Sequence, residues 1–179
     1  MSLETLKAKD LALGQEFLTW IWFRSERSNG QWQTHDGVPF GLTFEGRVMV
    51  QSGEGEYLET AVCSGPGAEL HEAKSGLLRG KKVHQAKLRM EEDGHGWHVT
   101  VKAEDFTTAG FKTPKVEFRL EEGQDPDGPF LEKMYLFERA FLFFDQMFLQ
   151  FLKLRFSPNW AEELRAIRRW VDATAGSHP

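Results

Sequence analysis

A chain of 179 residues has room for one domain with an appended helical element, and is long enough to bury a sizeable core. Its hydrophobic share of 40%, with 15 Phe and 6 Trp against 2 Tyr, excludes general disorder. A formal charge of −5 excludes a molecule that attracts nucleic acid or anionic membrane over its whole surface, so any DNA-binding surface must be a local basic patch; the lone Cys63 excludes an intramolecular disulfide and a multi-cysteine zinc site, and suits a reducing cytosol.

Met1 to Asp10 is polar and helix-prone and lacks the basic-then-apolar order of a signal peptide, and residues 1–13 are expected to be flexible. Gly14 to Arg27 is strongly apolar, with Leu18, Ile21 and Trp22 at helical spacing, and suits a buried helix or a strand. Asn29-Gly30 and His35-Asp36-Gly37 mark turns. Val38 to Phe44 and Arg47 to Gln51, separated by Glu45-Gly46, suggest a tight hairpin with Val48 and Val50 on one side. Tyr57 to Cys63 alternates as a third strand and ends at Ser64-Gly65-Pro66-Gly67.

A short amphipathic helix is predicted over 68–79, with Leu70, Ala73, Leu77 and Leu78 inward and Gly80 as its stop; Gly76 weakens it. Lys81 to Met90 and Trp97 to Ala103 then flank a polar loop and form a β-hairpin. Alternation puts His84, Ala86, Leu88 and Met90 on one face, and Gln85, Lys87 and Arg89 on the other beside His98, Thr100 and Lys102. Phe111 to Leu120, interrupted by Pro114, suits an edge strand, and the acidic stretch 121–129 a linker. The region 130–173 is helical: a long aromatic helix from Phe130 to Phe156, a break at Ser157-Pro158, and a second helix from Asn159 to Ala173, before a frayed tail over 174–179. Glu132, Lys133, Glu138, Arg139, Asp145, Lys153 and Arg155 exclude a membrane span for the long helix. The fold class is therefore α+β in one domain: an antiparallel sheet of five to six strands, a short mid-chain helix and two C-terminal helices.

No catalytic centre is recognisable. His95 and His98 lack further ligands at metal spacing, and His71-Glu72 meets Ser75 where a zinc-protease helix needs its second histidine. Gly53-Glu54-Gly55 and Gly65-Pro66-Gly67 have neither a dinucleotide fingerprint nor the lysine of a phosphate loop. Cys63 falls on a predicted strand and reads as a buried, unreactive thiol. No cofactor and no metal are implied. Between Arg79 and Arg119 the basic residues outnumber the acids modestly, and Lys87, Arg89 and Lys102 share a sheet face, which suits either a solvated surface or phosphate contact. Phe141, Phe144, Phe148 and Phe151 cannot all face one sheet along with the other aromatics of their helix, so they serve either core packing or a dimer interface.

Several runs, in order, resemble proteins of the recombination-associated RdgC family in their C-terminal part: Glu16-Phe17-Leu18-Thr19-Trp20-Ile21-Trp22-Phe23-Arg24-Ser25-Glu26, Gly80-Lys81-Lys82-Val83, Ala86-Lys87-Leu88, Phe111-Lys112-Thr113-Pro114-Lys115-Val116 and Phe130-Leu131-Glu132-Lys133-Met134-Tyr135. The likeness covers roughly Gly14 to Trp160 and carries no catalytic signature. It implies a non-enzymatic, cytoplasmic, nucleoid-associated protein that forms ring-shaped dimers around duplex DNA without sequence preference and restrains RecA-promoted recombination. On this basis Lys81, Lys82, Lys87, Lys112 and Lys115 are phosphate contacts by resemblance, with Arg89 and Lys102 added from strand geometry. The family carries a substantial N-terminal half ahead of these runs, whereas about a dozen residues precede Gly14 here, so the chain is expected to be either an excised fragment or a stand-alone relative, with that N-terminal half or a RecA pathway protein as a partner. The alternative is a structural or protein-interaction module that uses the aromatic helix Phe130 to Phe156 to dimerise or to hold an absent N-terminal half, with no DNA contact of its own.

Overall fold

The structure is a computed structural model that describes residues 3–53, 58–64, 70–116 and 127–175, with the side chains of residues 3–11, 71, 174 and 175 outside the description. In chain order the elements are α1 (Leu3–Arg27), β1 (Gln31–Gln33), β2 (Pro39–Ser52), β3 (Glu59–Ser64), α2 (His71–Leu78), β4 (Lys82–Glu92), β5 (His95–Lys102), β6 (Thr108–Lys112), α3 (Gly128–Arg155) and α4 (Trp160–Ala175). This is the α+β fold expected, with an antiparallel sheet of six strands. The neighbours run β1-β2-β4-β5-β6, and β3 shares with β1 the outer edge of the long β2.

All four helices lie on one face of the sheet. Phe40, Leu42, Val48 and Val50 of β2, Ala86, Leu88 and Met90 of β4, and Trp97, Val99 and Val101 of β5 turn to that face and are buried. Phe143 of α3 stacks on Phe40 with ring centroids 4.5 Å apart and meets Trp97 edge-on, while the Trp97 indole N–H donates to the Leu136 carbonyl of the same helix. Phe17 of α1 sits in a cage of Phe106, Phe144, Phe148 and Phe151. At the far end α1, α2 and α4 are held by one carboxylate: Glu26 accepts from Lys74 at 2.7 Å and from the indoles of Trp22 and Trp170 at 2.9 Å each.

Several expectations are corrected. The segment from Gly14 to Arg27 is a helix rather than a strand, and the helix reaches back to Leu3; no proline interrupts the run and its apolar residues recur around the helix. Glu45-Gly46 is not a hairpin turn. β2 runs straight through it, and Phe44 pairs with Leu88 and Val48 with Ala86, so that Glu45, Gly46 and Arg47 together stand opposite Lys87. Gly46 adopts φ 49°, the left-handed region that glycine enters at no steric cost and that lets the strand bulge. In β4 a second irregularity leaves Val83, rather than His84, on the buried face, since Gln85 pairs with Met49 but Val83 with Val50. The last strand is Thr108–Lys112, which ends before Pro114; residues 117–120 of the expected strand, 121–126 of the expected linker and 68–69 of the mid-chain helix lie outside the described residues.

The mid-chain helix closes with a Schellman arrangement: the Lys81 N–H donates to the Gly76 carbonyl and the Gly80 N–H to that of Leu77, each at 3.0 Å, with Gly80 at φ 83°. Gly76 belongs there because a Cβ would stand 2.8 Å from Val50 Cγ2; the glycine lets the helix lie directly on β2. Leu78 faces outward, against expectation.

Candidate nucleic-acid interface

No described helix covers the other face of the sheet. Strand alternation brings Arg47 of β2, Lys87 and Arg89 of β4, Lys102 of β5 and Lys112 of β6 to that face, because their neighbours Val48, Leu88, Val101 and Phe111 point into the core or toward α3. The register supports the grouping: Arg89 pairs with His98, and His98 in turn with Lys112, which places all three side chains on one side of three neighbouring strands. Four of the seven residues assigned to phosphate contact are thus brought together.

The other three are elsewhere. Lys81 packs its stem on Gly76, at the helical layer, and its ammonium pairs with Glu59 at 3.0 Å. Lys82, exposed, begins β4 opposite Gln51, and with Lys81 lines a groove between α1, α2 and α4. Lys115 is exposed three residues beyond β6. Arg47 is the basic residue that the sequence reading missed; the pattern Val48, Val50 already put it on the open side, but a hairpin at Glu45-Gly46 hid that Arg47 and Lys87 share a face.

The face is not uniformly basic. Glu45 stands in the bulge and reaches across β4: its carboxylate lies 2.7 Å from His98 Nδ1, 3.5 Å from Lys87 Nζ and 3.6 Å from Arg89 Nη1. An ionised carboxylate only accepts, so the His98 Nδ1 carries the shared proton. Burial pushes the Glu45 carboxyl up, but the hydrogen bond and charge of His98 and the charge of Lys87 outweigh it and hold the group below its ordinary range. Glu91 also hydrogen-bonds the Arg89 guanidinium, while Arg89 Nε is buried with no partner among the described residues. Arg47, Lys102 and Lys112 have no carboxylate within ion-pair distance among the described residues, although Asp105, held low by hydrogen bonds from Thr107, also feels the Lys102 charge.

The aromatic helix divides. Phe151 is fully buried, and Phe144 and Phe148 pack on Phe17 and Phe106, so these three belong to the core rather than to an interface. Phe141 stays 60% exposed, although it stacks on Phe111. It belongs to a row of exposed apolar side chains on α3 with Phe130, Leu131, Met134, Tyr135, Leu142 and Leu149, opposite the buried row of Leu136, Ala140, Phe143, Met147 and Phe151.

His95 and His98 stand three residues apart on a strand and so face opposite sides. Among the described residues no group of three His, Cys, Asp or Glu is placed to hold a metal ion, and no helix is long and apolar enough to cross a membrane. Cys63 is buried opposite Val48, and burial together with the charge of Glu72 pushes its thiol up, which disfavours the thiolate. Compared with protein-family models, curated proteins and solved structures, the chain matches none.

Proposed function

We propose that this domain binds the phosphate backbone of DNA through the open face of its sheet, without reading base sequence. The observation that carries this reading is the gathering of Arg47, Lys87, Arg89, Lys102 and Lys112 on one face that no described helix covers, in a protein whose net charge is −5. Four adjacent strands at roughly 4.8 Å spacing make a patch about 15 Å wide, and duplex DNA offers a charge every ~1.7 Å of its axis, so several phosphates fall within reach. Long, flexible Lys and Arg side chains on a sheet face suit phosphate contacts, which fix position without carrying base sequence. The resemblance to RdgC proteins points the same way and suggests a role in restraining RecA-dependent recombination. Lys87→Glu with Lys102→Glu should abolish binding to labelled DNA while the fold and any self-association persist; unchanged affinity would remove the patch from consideration.

A second reading rests on the exposed row of α3, whose seven large apolar side chains are 39–60% exposed. Taking roughly 200 Å² for each when fully exposed, they offer on the order of 700 Å², close to the ~800 Å² that one partner gives to a standard interface. The fitting occupant is the same helix of a second copy. Packed antiparallel about a two-fold axis near the middle of the helix, the Phe130–Tyr135 end of one copy lies along the Leu142–Leu149 end of the other. Sedimentation of wild type and Leu142→Lys separates this from a monomer: a dimer that the variant dissolves supports it, and a monomeric wild type at ~100 µM, well above the Kd an interface of this size sets, excludes it.

A further inference from the structure

We infer that Glu45 is a built-in competitor for the phosphate site, its carboxylate occupying an oxyanion position formed by Lys87, Arg89 and His98. The inference rests on the DNA-binding reading and adds how that site is restrained. Three cationic or N–H donor groups from two strands converge on a single carboxylate that belongs to a third strand. The bulge at 45–47 is what delivers it, since the chain there sets three residues against Lys87 alone and Gly46 supplies the left-handed turn. Bulges re-aim a side chain at the cost of ladder hydrogen bonds, and here the side chain re-aimed is an acid that meets three basic partners.

The fit of Glu45 to the site is incomplete. Only His98 is at full hydrogen-bond distance; Lys87 and Arg89 remain 3.5 and 3.6 Å away, and Arg89 Nε has no acceptor among the described residues. A phosphate diester, carrying a full charge on two unshielded oxygens, would satisfy the ammonium and the guanidinium together once the Glu45 side chain swings aside. Until then the carboxylate cancels part of the positive field, so weak encounters with other polyanions are suppressed. Glu91 does not play the same part: it touches Arg89 alone and sits at the end of the β4–β5 hairpin.

Glu45→Gln keeps the size of the side chain and removes its charge. With a labelled 20-base-pair duplex at ~50 mM salt, the variant is expected to bind about tenfold more tightly than wild type, with the gap narrowing as salt rises; Glu91→Gln should gain no more than about twofold. Urea denaturation verifies that both variants fold, and Glu45→Ala stands in if the glutamine disrupts the bulge. If wild type binds, the Lys87→Glu, Lys102→Glu protein does not, and Glu45→Gln binds no better than wild type, the competitor role is overturned while the DNA-binding face stands. If neither wild type nor Glu45→Gln binds at low salt, both fail together.

Discussion

Replacing Gly14 by alanine probes the tightest junction between the helical layer and the sheet. A Cβ at this position would lie 1.8 Å from the Ala103 carbonyl oxygen, 2.7 Å from its carbon and 3.1 Å from its Cα. A carbon and an oxygen in van der Waals contact need about 3.2 Å, so α1 must retreat from the end of β5 by more than 1 Å; no side chain is there to yield. The retreat also loosens Phe17, Leu18 and Ile21, three side chains that are completely buried, and strains the end of β5, where the Ala103 N–H donates to the His84 carbonyl at 2.8 Å. Overpacking of a side chain costs about 1–3 kcal/mol, and because backbone must move here we expect about 3 kcal/mol. Urea denaturation of Gly14→Ala against Gly128→Ala, a helical glycine whose Cβ would meet nothing within 4 Å, separates the clash from the generic effect of adding a methyl to a helix. A loss below about 1 kcal/mol for Gly14→Ala would refute the close approach of α1 to β5.

Phe143→Ala and Phe141→Ser test the division of the aromatic helix: the first should cost about 3–5 kcal/mol by emptying the stack on Phe40 and Trp97, and the second less than about 0.5 kcal/mol, both read from chemical denaturation. Lys74→Met should destabilise by about 2 kcal/mol; the lysine is nearly buried between Trp22 and Trp170, but Glu26 keeps two indole donors and partial solvent, which softens the loss. The depressed Glu45 carboxyl has a signed pH consequence. Its folded value lies below the ordinary 4.5, so its contribution is complete above that pH and disappears as pH falls through the folded value. The stability difference between wild type and Glu45→Gln should therefore shrink as pH falls below 4.5; a difference that grows on acidification would contradict the assignment of Glu45 as an ionised acceptor.

The hairpin of β4 and β5 was legible because alternation there is uninterrupted from Ala86 to Met90 and Trp97 to Val101, and this alone placed Lys87, Arg89 and Lys102 together. α3 and α4 were legible from their apolar length and from Pro158 near the start of the second; Pro129, read as the end of a linker, in fact lies in the first turn of α3. The bulges were not. A two-residue excess in β2 preserves inward and outward alternation, so Glu45-Gly46 looks like a turn by composition and only its partner strand shows otherwise. That misreading concealed the acid at the centre of the basic face. The inward aromatics of α3 were equally opaque: Phe144, Phe148 and Phe151 lie on the flank that meets α1, and a helix apolar on both flanks does not announce which one its own chain covers.

The most direct test of the DNA-binding face is a fluorescence-anisotropy titration of labelled single- and double-stranded DNA at about 50 mM and about 200 mM salt, since phosphate-driven binding must weaken steeply over that range. Affinity that falls at least tenfold with salt, and is lost in the Lys87→Glu, Lys102→Glu protein, is the predicted result. Absence of binding to either DNA at the lower salt would contradict it and turn attention to the exposed row of α3.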